Sequence, residues 1–181
     1  MKITVREMAE AAMLVALAII LDLPFLKFKI GASGGSISFT MVPLFVLALR
    51  TKPWKSFLYI AIVYSLLSVV IDGEPFYSLP FDYCLAYGAI AIIGFSRKRI
   101  ITEKITFLGV LFLVEGVIAC CVLRILSSTI SSMIFYETGF WAGVLYNLAY
   151  IGPSAGITLA AMLILYQPLL TIEKHYPSKS I

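Results

Sequence analysis

The sequence predicts an all-α membrane protein, a six-transmembrane-helix bundle forming one integral membrane domain over residues 1–181, with both termini cytoplasmic. Three observations predict it. Hydrophobic residues make up 61% of the chain and charged residues 13%, against about 45–50% and about 25% in soluble domains. The apolar runs are divided by short connections bearing Pro and charge, and at about 20 residues per crossing the 181 residues hold about six spans. Eleven of the fourteen Lys and Arg residues fall at four alternate helix ends: Lys2 and Arg6; Arg50, Lys52 and Lys55; Arg97, Lys98, Arg99 and Lys104; Lys174 and Lys179. Those ends share one side, and the excess of positive charge makes it the cytoplasmic one.

The first helix is expected over 5–23. Glu7 and Glu10 interrupt the basic start and no clear cleavage site follows, so it reads as a retained span rather than a signal peptide. The segment "KFKIGASGGSISF" then supplies small residues suited either to a chain bending over something or to a flexible linker. A short second helix is expected over 39–50 and a third over 56–71, parted at "RTKPWKS", where Pro53 lacks a backbone donor and biases Lys52 away from helix. "DGEPFYSLP" separates the third from a fourth over 81–95, and "GFSRKRIITEK" closes the fourth. The last two are expected over 105–130 and 140–168. Hydrocarbon offers no hydrogen-bond partner to irregular backbone, and the runs lack the alternation of a barrel, so all six are helices.

Cys84, Cys120 and Cys121 lie in apolar runs and form no ligand-spaced cluster with His175, which argues against both a disulfide framework and a zinc site. The basic clusters are accounted for by topology beside anionic lipid, so the net charge of +4 indicates no nucleic acid. No GxxxxGK[ST] phosphate loop occurs and no constellation of His, Asp and Ser suggests a membrane enzyme.

The uncommon polar residues gather at the outer level: Asp22; Asp82 and Tyr83; Arg124 with Ser127, Ser128 and Thr129; Tyr146, Asn147 and Tyr150. Ionisable groups within a membrane usually face a bundle interior or a wet cavity, which predicts an outward-facing pocket. Each residue has a second reading. Asp82 either contacts a ligand or caps the fourth helix. Arg124 is expected to pair with Glu115 or Asp82, or to snorkel. Tyr146 and Tyr150, at i and i+4, share a face that lines a pocket or forms an interfacial belt. Glu115 is expected to pack against a polar neighbour or to be protonated. In the first helix Ala12 and Ala16, with Ala9, form a flat stripe for close approach of another helix.

The AxxxA stripe, "GGSISFTMVPLFVLALR" and "FDYCLAY" together resemble the substrate-binding S components of energy-coupling factor (ECF) vitamin transporters, closest to the thiamine-specific family, over nearly the whole chain. The resemblance implies a multi-pass protein of the prokaryotic plasma membrane that takes up thiamine and is not an enzyme, with no cofactor. It implies as partners a transmembrane coupling subunit, docked on Ala12 and Ala16, and two ATPases, the S component toppling in the membrane to carry its vitamin inward. An acid followed by Tyr at the head of the family's fourth helix contacts thiamine, and Asp82 and Tyr83 match, with Asp for the Glu of some members. Tyr136 matches an aromatic residue after the fifth helix and Tyr146 a Tyr of the sixth. Three positions depart: a loop Trp is Gly34 here, a His falls near Ser128, and an Asn aligns with Ile151, with Asn147 one turn earlier. Another small vitamin or precursor, a pyrimidine or a thiazole, is the alternative substrate, and an intramembrane enzyme the alternative class.

Overall fold

The computed structural model describes residues 4–29, 35–102 and 104–178. It is mainly helical. Contiguous helical segments run α1 Val5–Leu21, α2 Met41–Arg50, α3 Pro53–Asp72, α4 Leu79–Ile100, α5 Phe107–Phe135 and α6 Phe140–His175. Of these, α3, α4, α5 and α6 are long and apolar enough to cross a membrane. At 17 and 10 residues, α1 and α2 are shorter.

Local chemistry sets the boundaries. Thr4 accepts the Glu7 amide at 3.3 Å to cap α1, and Thr106 accepts the Gly109 amide at 3.0 Å to cap α5. Pro53 stands in the first turn of α3 after an extended Lys52, where a missing N–H costs nothing. Gly73 ends α3 at φ +70°, the left-handed conformation that suits a residue without Cβ. α5 continues to Phe135 rather than stopping near 130, and α6 runs through Pro168 to His175. Between α1 and α2 the chain makes a feature the sequence did not suggest, an antiparallel ladder of β1 (Phe28–Lys29) with β2 (Ser36–Ile37).

Two helices are locally irregular. α3 is π-helical over Tyr59–Tyr64, and α4 is π-helical over Leu79–Leu85 and 3₁₀ over Ala89–Ser96. Single wide turns of this kind often occur where a helix must aim side chains at a site.

The core lies around α2, whose Leu44, Phe45, Leu47, Ala48 and Leu49 are fully buried, as befits a short helix apolar on every side. Outside it, α5 and α6 expose Ile118, Val122, Leu145 and Ile164, a surface suited to lipid. At one end of the bundle Glu173 is buried between Arg50 (3.0 Å) and Arg97 (2.8 Å), Arg50 also pairs with Glu10, and Lys55 with Glu7 (2.6 Å). These contacts gather the start of α1 and the ends of α2, α4 and α6 at one level.

Candidate binding cavity

At the opposite end a cavity of about 660 Å³ opens among α3, α4, α5, α6 and the strand β2. Its wall includes Asp82, Tyr83, Ser128, Tyr136, Tyr146 and Asn147, the sequence-derived candidates within the described residues. Gly34 lies outside the described residues, and its neighbour Gly35 lines the cavity.

Asp82 and Tyr83 reach the cavity together because of the π turn at the head of α4. Successive residues of a regular α-helix diverge by about 100°; a wider turn brings neighbours closer to one face. Ser127 of α5 steadies that turn by donating to the Phe81 carbonyl at 2.6 Å. The Asp82 carboxylate accepts the Ser131 hydroxyl at 2.5 Å and caps no backbone amide of its own helix. It therefore faces α5 and the cavity rather than a backbone amide, while its place in the first turn of α4 still sets its charge near the positive helix end.

Aromatic rings form the sides. Tyr83 and Tyr87 stack at 6.4 Å with 27° between planes, and Tyr146 meets Tyr150 edge-on at 5.6 Å. Both of the latter line the cavity rather than a belt. Tyr150 donates to Asn147 Oδ1 at 2.7 Å, and the Asn147 amide donates to the Gly143 carbonyl at 2.9 Å, so this side chain is fixed in place. The Gly35 amide donates to the Tyr146 hydroxyl at 3.0 Å, and a Cβ on Gly35 would meet the Tyr150 ring at 2.6 Å. Only glycine lets this backbone lie on the tyrosine pair. Tyr136 stands at the mouth, half exposed; partial burial and then the charge of Glu74 push its phenol up to about 12, so it remains a neutral hydroxyl at physiological pH.

Several expectations are corrected. Arg124 makes no ion pair with Asp82 or Glu115 among the described residues. It is buried, lines the cavity with its guanidinium 3.9 Å above the Tyr87 ring, and its Nε has no hydrogen-bond partner. Glu115 is exposed on the surface of α5 rather than packed against a polar neighbour. Asp22 does not line the cavity; it accepts Tyr64 and Ser68 and pairs with Lys27. Thr129 turns back to the Ile125 carbonyl at 2.7 Å. Ile151 is fully buried in the core, while Asn147, a turn earlier, supplies the amide in the wall. Ala12 and Ala16 are exposed, with Ala9, on the outer face of α1.

The cavity also contains Asp72, Glu74, Tyr87 and Ser132, which sequence reasoning did not select. Tyr87 had a signal: it follows Tyr83 by four residues, on the same helix face. The three cysteines are free, and the described residues hold no cluster of metal-ligating side chains. A larger hollow of about 750 Å³ between α3, α4 and α5 is walled by groups such as Trp54, Phe57, Leu85 and Leu126. With hardly a polar atom in its wall, it is suited to lipid and gives a polar ligand nothing to bind. The polar cavity offers three carboxylates, a guanidinium, five tyrosine rings and several hydroxyls, a set suited to a flat, polar molecule.

The chain is 28% identical over 173 residues to the thiamine transporter ThiT of Bacillus subtilis (strain 168), covering 87% of this chain and 88% of that protein. Its fold is similar to that of ThiT from Listeria monocytogenes, with a TM-score of 0.66 at 22% identity and 94% of each chain covered. It is equally similar to FolT solved with folic acid, with a TM-score of 0.67 at 14% identity, covering 91% of this chain and 95% of that one. The family described as Thiamine transporter protein matches residues 8–177. The chain is thus a multi-pass membrane transport protein, not an enzyme, and belongs to the thiamine transporter family.

Proposed function

We propose that this protein is the substrate-binding S component of an ECF-type importer and that its ligand is thiamine. The observation that carries the reading is Asp82, uncapped and turned to a cavity whose walls are tyrosines. Thiamine joins a permanently cationic thiazolium to an aminopyrimidine. A carboxylate answers the cation, aromatic faces add cation–π attraction of up to about 2 kcal/mol where water is excluded, and fixed amide and hydroxyl groups such as Asn147 and Ser128 answer the pyrimidine. About 660 Å³ falls within the usual range for small-molecule sites.

In this reading residues 1–181 form one domain that crosses the membrane six times. The basic, ion-paired end and both termini face the cytoplasm, and the cavity opens outside. Ala12 and Ala16 dock on the coupling subunit, and two partner ATPases supply the energy. The direct test is thiamine uptake in cells unable to make it, with the coupling subunit and ATPases present or withheld. Uptake that persists without the ATPases would contradict an ECF mechanism. A second reading, a vitamin carrying an anionic group, is favoured by Arg124, whose buried guanidinium has no ion-pair partner among the described residues. Parallel titration with thiamine, its pyrimidine and thiazole fragments and folic acid separates the two.

A further inference from the structure

We propose that Asp72, held by Lys27, is a positioning residue for Tyr83, so that a Lys27–Asp72–Tyr83 chain sets the aromatic wall of the cavity and ties it to the segment following α1. The proposal rests on the cavity being the ligand site, as argued above.

Lys27 lies beyond the end of α1, yet is only 7% exposed. Its ammonium bonds one oxygen of Asp72, Oδ1, and lies 3.3 Å from Oδ1 of Asp22. The other Asp72 oxygen, Oδ2, accepts the Tyr83 hydroxyl at 2.9 Å. Asp72 is therefore a bridge, one oxygen for each neighbour. Asp22 is divided in the same way, since its Oδ2 accepts Tyr64 at 3.0 Å and Ser68 at 2.5 Å, which fixes the base of the arrangement to α3. Burial alone would lower the Lys27 pKa, but the hydrogen bond to Asp72 and the charge of Asp22 outweigh it and raise the value, so the lysine is charged at neutral pH.

Two consequences follow for recognition. A tyrosine ring swings about its side-chain bonds unless its hydroxyl is held, and Tyr83 is held at both ends, by Asp72 and by the stacked Tyr87. Lys27 also cancels the charge of Asp72, which itself lines the cavity. Without Lys27 a cationic ligand would meet an unneutralised Asp72 competing with Asp82, in the wrong place.

The test uses the full chain labelled with 3-fluorotyrosine, its Tyr83 resonance assigned by its loss in Tyr83→Phe. In ligand-free protein, Asp72→Ala and Lys27→Met should shift or broaden that resonance, and Lys27→Arg should restore it. With thiamine, Asp72→Ala should weaken binding about tenfold, but less than about twofold when Tyr83 is already Phe, because coupled residues are not additive. Should Asp72→Ala not fold, Lys27→Met and its rescue by Lys27→Arg carry the same test. An unmoved Tyr83 resonance in both variants, or fully additive losses of affinity, would overturn the proposal. A wild type that binds no thiamine, while the resonance responds to both substitutions, supports the chain of contacts and rejects thiamine as the ligand.

Discussion

Replacing Asp82 by Asn removes a negative charge and little else. Asn is nearly the same size and keeps a carbonyl oxygen to accept the Ser131 hydroxyl, which meets the carboxylate at 2.5 Å. No helix cap is lost, because Asp82 makes none. The melting temperature should therefore hardly change. Binding of a cationic ligand should fall sharply, since truncating one member of a buried charge pair costs about 2–5 kcal/mol. Asp82 is only partly buried, so the lower part of that range applies, about 2–3 kcal/mol or roughly 30- to 150-fold in Kd. The assay is calorimetric titration of purified wild type and Asp82→Asn with thiamine and with its uncharged pyrimidine fragment, thermal unfolding being followed in parallel. Thiamine should lose the full factor and the pyrimidine fragment much less. Equal thiamine affinity in a variant of unaltered stability would refute Asp82 as the counter-ion of the thiazolium.

The other substitutions probe separate parts of the account. Gly35→Val places atoms where the Tyr150 ring already stands, 2.6 Å from the new Cβ; overpacking of this kind costs about 1–3 kcal/mol, and it should appear as weaker ligand binding measured by titration. Glu173→Gln leaves Arg50 and Arg97 without their shared carboxylate, and the loss of a buried partner should destabilise the protein by about 3 kcal/mol in detergent unfolding experiments. Ala12→Trp or Ala16→Trp should abolish uptake while the isolated protein binds its ligand as before; equal loss of both in a folded variant would remove the docking assignment. Cysteines placed at 82 and 146 should react with impermeant reagents from outside intact cells, and labelling confined to the cytoplasmic side would reverse the topology.

The helical segments were legible because long apolar runs and the prolines between them leave few alternatives. Their ends were less so. The serine-rich stretch after Leu126 reads as the close of α5, but Thr129 donates to the Ile125 carbonyl and Ser132 to the Ser128 carbonyl at 2.9 Å, so these hydroxyls satisfy themselves within the helix and let it continue. Pro168 reads as the close of α6, yet a proline there removes only one backbone bond, and Glu173 beyond it is anchored by two arginines. The short β1–β2 ladder has too few residues to show an alternating pattern. Of the residues lining the cavity, Asp82, Tyr83, Ser128, Tyr146 and Asn147 stood out because polar and aromatic groups are conspicuous at one depth of an apolar chain, and Tyr136 through the family resemblance. Asp72 and Lys27 lie beyond the expected third and first helices, and nothing in their spacing told of a contact 45 residues apart in sequence. Arg124 was expected to pair with Glu115 or Asp82 or to snorkel, and its guanidinium lies over the ring of Tyr87 instead.

The central claim is that the cavity holds thiamine, and native mass spectrometry of the purified protein tests it most directly. Protein from cells supplied with thiamine should carry one added mass equal to that of thiamine, and the adduct should be lost or strongly reduced in Asp82→Asn. A stoichiometric adduct of a different vitamin, or wild-type protein that stays unliganded when thiamine is added in excess, would contradict the account.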